Sequence, residues 1–135
     1  MIYERIYTQL EQLGVIALIR ENAEAAKSES GGYMDLHFDR LYESEGGVVI
    51  SLAHYFKQNG DLCCDPDMEI RVLPERRLAE ALTFQQAIPP IYQMVYPEAG
   101  KVNPSLQKSL NDFLLTWLRN CVAQGHRFGN PESGA

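Results

Sequence analysis

His54-Tyr55-Phe56-Lys57-Gln58-Asn59-Gly60-Asp61, followed by Asp65-Pro66-Asp67-Met68-Glu69-Ile70-Arg71-Val72, is the stretch whose reading decides the fold. Asn59-Gly60 is the strongest short hairpin turn available, because both residues tolerate positive φ. The segment before it, residues 48–56, is rich in β-branched and aromatic side chains. After it, Met68, Ile70 and Val72 alternate with Asp67, Glu69 and Arg71, the pattern of a half-buried return strand. A strict two-residue turn would pair His54 with Asp65 and Leu52 with Asp67. That register puts carboxylates on the apolar face that carries Ile50 and Leu52. One bulged residue near Asp65-Pro66 instead sets Met68 opposite Leu52 and Ile70 opposite Ile50. The bulged register is expected, because a buried face fixes register and proline fits poorly in a regular ladder.

Working outward, Met34, Leu36 and Phe38 alternate with Asp35, His37 and Asp39, a further half-buried strand. Glu45-Gly46-Gly47 supplies the turn between it and residues 48–56. Downstream, residues 78–86 read as a strand with Leu82 and Phe84 on one face, and residues 91–96 as a last strand after Pro89-Pro90. On the N-terminal side, Ile2, Ile6, Leu10 and Leu13 lie on one helical face, and Gly14 suits its end. Residues 15–26 read equally as helix or buried strand, and residues 27–32 as a polar connector. At the C-terminal side, Asn103 and Pro104 fit an N-cap and first helical position. Leu106, Leu110, Phe113, Leu114, Trp117, Leu118, Cys121 and Val122 then form the clearest helical stripe in the chain, with Gly125 at its end. The expected class is α+β: an antiparallel sheet of about four or five strands packed against an N-terminal and a long C-terminal helix. One domain is expected over residues 1–126, with residues 127–135 a polar, frayed tail.

The chain has 135 residues and a net charge of −6. Its basic residues are scattered, so a phosphate-binding surface and direct nucleic-acid binding are not expected. An acidic surface repels nucleic acid or mimics it. The three cysteines, Cys63, Cys64 and Cys121, are odd in number, and no basic region followed by an apolar run opens the chain. A reducing cytoplasm is the natural expectation. Adjacent Cys63 and Cys64 are too close for a zinc ligand pair. No apolar stretch approaches the roughly 20 residues of a membrane span.

His54, Asp61, Asp65, Asp67 and Glu69 fall within sixteen residues. Converging carboxylates at a strand end can hold a divalent metal, with His54 as ligand or base. The plainer reading makes Asp61 turn chemistry, Asp65 part of a bend, and Asp67 and Glu69 the solvent face of a hairpin. His54 is expected half-buried and hydrogen-bonded to a turn backbone or to Asp65. His37 is expected to be exposed, and His126 to sit as a cation at a helix C-terminus. No glycine-flanked serine nucleophile occurs. Cys121 falls on the apolar stripe and is expected in the core. Gln85-Gln86, Pro89-Pro90-Ile91-Tyr92-Gln93 and Tyr96 form a segment that suits either a protein partner or proline protection of a sheet edge.

His54 with Gln58-Asn59-Gly60-Asp61, Asp65-Pro66-Asp67-Met68-Glu69 and Leu82-Thr83-Phe84-Gln85-Gln86 resemble a family of small uncharacterised bacterial proteins. Gly32-Tyr33-Met34-Asp35-Leu36, Tyr92-Gln93-x-Val95-Tyr96, Phe113-Leu114-x-x-Trp117-Leu118-Arg119-Asn120 and Gln124-Gly125-His126 extend the resemblance over residues 30–126. Its members are domains of unknown function found alone and in plasmid, phage and integrative-element proteins. Met68-Glu69-Ile70-Arg71 and Trp117-Leu118-Arg119 are more weakly similar to a second short proteobacterial family of unknown function. The resemblance implies a mobile-element setting and no reaction.

The expected function is therefore that of a non-enzymatic accessory protein acting through protein contacts, without a cofactor or metal. The candidate binding residues are His54, Gln58, Asn59, Asp61, Asp65, Asp67, Glu69, Gln86 and Tyr92. The alternatives are a metal-dependent enzyme built on His54, Asp61, Asp65, Asp67 and Glu69, and an acidic DNA mimic directed at a host defence protein. A homodimer through an exposed sheet face or edge is a further expectation.

Overall fold

The hairpin sets the register of the whole molecule. In the structure, a computed structural model describing residues 1–129, strand β3 (Gly47–Gln58) turns into β4 (Asp61–Leu73) through Asn59 and Gly60, with φ of 53° and 86°. Gln58 pairs with Asp61, Leu52 with Met68 and Ile50 with Ile70. The ladder shifts between Ala53 and Tyr55, where Asp65 and Pro66 together oppose His54. This is the bulge expected from the alternation.

The remaining strands build outward from this pair. β1 (Ala25–Ser28) and β2 (Leu36–Ser44) lie on the β3 side, and β5 (Leu78–Ala81), β6 (Thr83–Gln86) and β7 (Ile91–Met94) on the β4 side. The sheet has seven strands in the order β1-β2-β3-β4-β6-β7, with β5 also paired to β4. Every pairing is antiparallel. The class is α+β, as expected, but the strand count exceeds four or five for two reasons. Residues 25–28 are a short edge strand rather than part of a helix or connector, because β2 offers them a free ladder. Residues 78–86 are divided at Leu82, whose N–H donates to the Glu69 carbonyl at 2.8 Å between two different registers on β4.

Helices α1 (Ile2–Leu13), α2 (Val15–Arg20) and α3 (Pro104–Ala123) all pack on one sheet face. Gly14 closes α1 at φ 88° and leads directly into α2, so the ambiguous residues 15–26 become a short helix followed by β1. Asn103 caps α3 as expected, its side chain accepting from Leu106 N–H at 3.1 Å. The core joins Ile6, Leu10 and Leu13 of α1, Leu114 and Leu118 of α3, and the even-numbered residues Leu36, Phe38, Ile50, Leu52, Met68 and Ile70 of the strands. Val49 and Ala53 are also buried, yet they are not part of that cluster. They sit on the opposite face. Among the described residues no helix covers that face.

Of the stretch 127–135, expected as a polar tail, residues 127–129 are described. Phe128 is buried and joins the core, and its N–H donates to the Leu13 carbonyl at 2.7 Å. Residues 130–135 lie outside the described residues.

Candidate functional site

Antiparallel pairing converts distant sequence positions into rows across the bare sheet face. One row runs Lys27, His37, Ala53, Asp67, Gln85, Tyr92. The next runs Ala25, Asp39, Ser51, Glu69, and Glu69 N–H donates to Thr83 Oγ1 at 3.1 Å beside Met94. A third holds Tyr42, Val49, Arg71 and Glu80. The centre of the face is therefore floored by small side chains, Ala53 and Ser51. Carboxylates flank it on both sides: Asp39 on β2, Asp67 and Glu69 on β4. Tyr42, Tyr92 and Met94 stand at its margin, 54%, 55% and 41% exposed. Together with Glu69 and Tyr96 they line a depression of about 170 Å³.

The charges here are not balanced internally. Lys27 and Arg71 are the cations on this face: Lys27 is held by Glu29 at 3.0 Å and Asp35 at 4.0 Å, and Arg71 is engaged by Glu80 at 3.4 Å, the Ser44 hydroxyl at 2.9 Å and the Glu45 carbonyl at 2.7 Å. Glu80 also accepts from the Tyr96 hydroxyl at 2.7 Å. Burial, together with Glu80 beside it, pushes the Tyr96 phenol up to about 12. Among the described residues, Asp39, Asp67 and Glu69 make no ion pair. Partial burial raises the Asp67 carboxyl above its ordinary value, as does the nearby Asp39, while a hydrogen bond from Ser51 at 3.2 Å opposes the shift. Burial and then the Asp67 charge raise Glu69. The Tyr55 and Tyr92 phenols are raised by burial and by these same carboxylates. The face is thus an under-solvated anionic patch with an aromatic margin.

His54 lies on the other side of the sheet. It is 6% exposed, more deeply buried than expected, and its Nδ1 is 2.9 Å from the Asp35 carbonyl. A carbonyl only accepts, so Nδ1 carries the proton and Nε2 is left to accept from the Cys121 thiol at 3.7 Å. Burial pushes that thiol up to about 12, so it stays protonated and is no nucleophile. His54 also stands edge-on to Trp117 at 5.4 Å and near His126 at 5.8 Å. His126 is not an exposed cation at a helix end. It is 3% exposed and hydrogen-bonded through Nδ1 to Ser28 at 3.0 Å. Burial and the neighbouring His54 lower its pKa. His37, expected to be exposed, is half-buried and stands edge-on to Tyr55 at 5.0 Å.

The sequence-expected residues are consequently divided among separate places. His54 and Asp65 line a cleft beside the end of α3. Asp67, Glu69 and Tyr92 belong to the opposite, bare face. Gln58, Asn59 and Asp61 are exposed at the hairpin tip. Gln86 donates to the Pro89 carbonyl at 3.0 Å, bracing the loop before β7. The five residues of the metal-site alternative do not form one site. Among the described residues no group of three His, Cys, Asp or Glu side chains is placed to hold a metal ion.

Sequence reasoning passed over Asp39, Tyr42 and Met94 on the bare face. Alternation in residues 34–39 had put Asp39 on a polar face, but its position across from Ser51 depends on pairings that no single strand encodes. No helix among the described residues is long and apolar enough to cross a membrane. Residues 3–127 match the family described as a domain of unknown function (DUF6908), and the chain belongs to that family. No match is found among curated proteins or among solved structures.

Proposed function

We propose that this member of a family of unknown function is a non-enzymatic interaction module whose bare sheet face docks a cationic segment of a protein partner. The observation that carries the reading is the trio Asp39, Asp67 and Glu69. These carboxylates share a half-buried face without a basic partner among the described residues, while Arg71 is committed to Glu80. A bound Lys or Arg side chain supplies the missing counter-charge, and Tyr42, Tyr92 and Met94 supply apolar contact. A cytoplasmic, mobile-element setting belongs to the same proposal; the free thiols Cys63, Cys64 and Cys121 and the family resemblance support it.

The test is anisotropy of labelled Lys/Arg-rich and Glu-rich peptides, at low and high salt, against the wild type and an Asp39→Asn, Asp67→Asn, Glu69→Gln variant. A partly exposed ion pair contributes about 0.2–1 kcal/mol, so the triple change weakens cationic-peptide binding roughly three- to a hundredfold. Binding should also weaken with salt. Equal binding of both peptide classes, or an unaffected variant, refutes the reading. A concentration-dependent mass that the variant abolishes would replace the foreign partner with a second copy of this chain.

A further inference from the structure

The depression on the bare face draws its walls from strands that are not neighbours. Tyr42 comes from β2, Glu69 from β4, and Tyr92 and Met94 from β7. The sheet order sets β3 between β2 and β4, and β6 between β4 and β7. Tyr42 and Tyr92 therefore reach inward from opposite margins to bound one space of about 170 Å³ beside Glu69. After burial, the Glu69 charge and then the Tyr42 phenol raise the Tyr92 phenol, in keeping with hydroxyl ends that converge.

Three properties restrict what fits. The lining includes a carboxylate but no Lys, Arg or His, so an anion finds no counter-charge. Glu69 makes no ion pair among the described residues, since Arg71 is held by Glu80 and Lys27 by Glu29. A single carboxylate is also a poor match for a divalent ion, which takes several charged oxygens. The free side-chain acceptors are few. The Tyr96 hydroxyl is committed to Glu80 at 2.7 Å, and Thr83 Oγ1 accepts from the Glu69 N–H at 3.1 Å. What remain are the Glu69 carboxylate and the hydroxyl oxygens of Tyr42 and Tyr92.

We propose that this depression takes the ammonium group of one lysine presented by the partner segment. The assignment rests on the sheet-face reading and adds which residue anchors it. An ammonium is a compact charge with three N–H donors, and Glu69, Tyr42 and Tyr92 supply acceptor oxygens for them. Each phenol accepts through a lone pair while its own proton turns to water or to a carboxylate. A guanidinium spreads five N–H groups over a plane, and the apolar Leu82 and Met94 in the lining leave some of them unmatched. Those same side chains suit the butyl stem of a lysine, which packs along apolar surface.

The probes are labelled Ser/Gly-based peptides of equal charge that carry lysine, Nε-trimethyl-lysine or arginine at the same positions, read by anisotropy. Trimethyl-lysine keeps the charge and deletes every N–H. The lysine peptide is expected to bind about tenfold more tightly than the trimethyl-lysine peptide, the upper range of one net hydrogen bond. It should also bind more tightly than the arginine peptide. Tyr42→Phe with Tyr92→Phe keeps both rings and removes both oxygens, so it should erase most of the lysine preference and leave trimethyl-lysine binding unchanged. Both residues are more than half exposed, and unchanged melting confirms that the variant folds. Equal binding of the lysine and trimethyl-lysine peptides, or tighter binding of the trimethyl-lysine or arginine peptide, overturns the assignment and leaves the sheet-face reading standing. So does a lysine preference that survives the loss of both hydroxyls. If none of the peptides binds, both readings fall.

Discussion

Asn111 offers the sharpest test of how α3 is seated on the sheet, and so of how Trp117 and Asn120 reach the cleft. It is a buried polar residue, 2% exposed, in a helix whose other inward residues are apolar. Its Oδ1 accepts from the Ala81 N–H at 2.8 Å, and its Nδ2 donates to the Gln107 carbonyl at 2.8 Å. Asn111→Ala leaves a buried N–H without an acceptor, which costs about 1–3 kcal/mol, and loses a second, partly buried hydrogen bond worth up to about 1 kcal/mol. A loss of about 2–3 kcal/mol is expected. At about 2.1 cal/mol/K per residue, the 135 residues give an unfolding entropy near 0.28 kcal/mol/K, so Tm should fall by about 7–10 °C. Asn111→Asp separates the acceptor from the charge. Ionised, it buries a carboxylate and destabilises the fold; protonated, it restores both the acceptor and a donor. Its folded-state pKa must then lie above the unfolded value, so its deficit is present at neutral pH and shrinks on acidification. Asn111→Ala should show no such recovery. Thermal melts across pH, with exchange of the Ala81 amide, decide the matter. Parallel pH profiles for the two variants, or unchanged Ala81 protection in Asn111→Ala, would refute the reasoning.

Four further outcomes follow from the same geometry. Asp67 and Glu69 have folded-state pKa values above the ordinary 3.8 and 4.5, so their ionisation opposes folding above those values and not below them. Asp67→Asn with Glu69→Gln should therefore raise Tm at neutral pH, and the gain should vanish as pH falls through the carboxylate range. His126 is depressed below 6.5, so the unfolded chain takes up its proton first. Stability should decline as pH drops below that value, and less so in His126→Asn, as read by urea melts at several pH values. Cys121, buried with its thiol pushed up to about 12, should resist iodoacetamide in the native protein while half-buried Cys63 and Cys64 label; peptide mapping before and after unfolding checks this. Gly14→Ala combines an αL penalty of about 1–2 kcal/mol with a new Cβ driven into the Phe128 carbonyl, so melting should drop and the Phe128 amide should lose exchange protection.

The parts of the fold that could be read in advance are those whose signal is local. Asn59-Gly60 fixes a turn by its own backbone preferences, and alternation on either side leaves one register that keeps Ile50 and Leu52 with Ile70 and Met68. The α3 stripe and its Asn103 cap are equally self-contained. What stayed illegible depends on partners remote in sequence. Residues 25–28 contain no β-branched side chain and form a strand because β2 presents an unpaired edge. His126 reads as a helix-end cation and Phe128 as part of a polar tail until the chain turns back under Ser28 and Leu13. The bare face is harder still. Asp39, Ser51, Glu69 and Met94 come into register only when several ladders are known together, whereas Asp61 and Asp67, close in sequence, end in different places.

The bulge explains why one acidic run serves two surfaces. In a strand, residue parity decides the face, and a single extra residue exchanges the faces for everything beyond it. Without the bulge, Asp67 and Glu69 would oppose Leu52 and Ile50 on the helix-covered side, where an unpaired carboxylate costs several kcal/mol. With it, Met68 and Ile70 enter the core, and Asp67 and Glu69 pass to the face they share with Asp39. The residues that absorb the slip cannot follow either pattern. Pro66 is buried beside His54, and Asp65 is left exposed at the mouth of the Trp117 cleft. The same irregularity that keeps carboxylates out of the core therefore delivers one to the cleft and two to the bare sheet. For that reason Asp65→Asn should leave cationic-peptide binding at the sheet face intact while neutralising Asp67 and Glu69 weakens it, although the residues are four or fewer positions apart. If Asp65→Asn weakened cationic-peptide binding at the sheet face as much as neutralising Asp67 and Glu69 does, the division of the hairpin into two surfaces would be wrong.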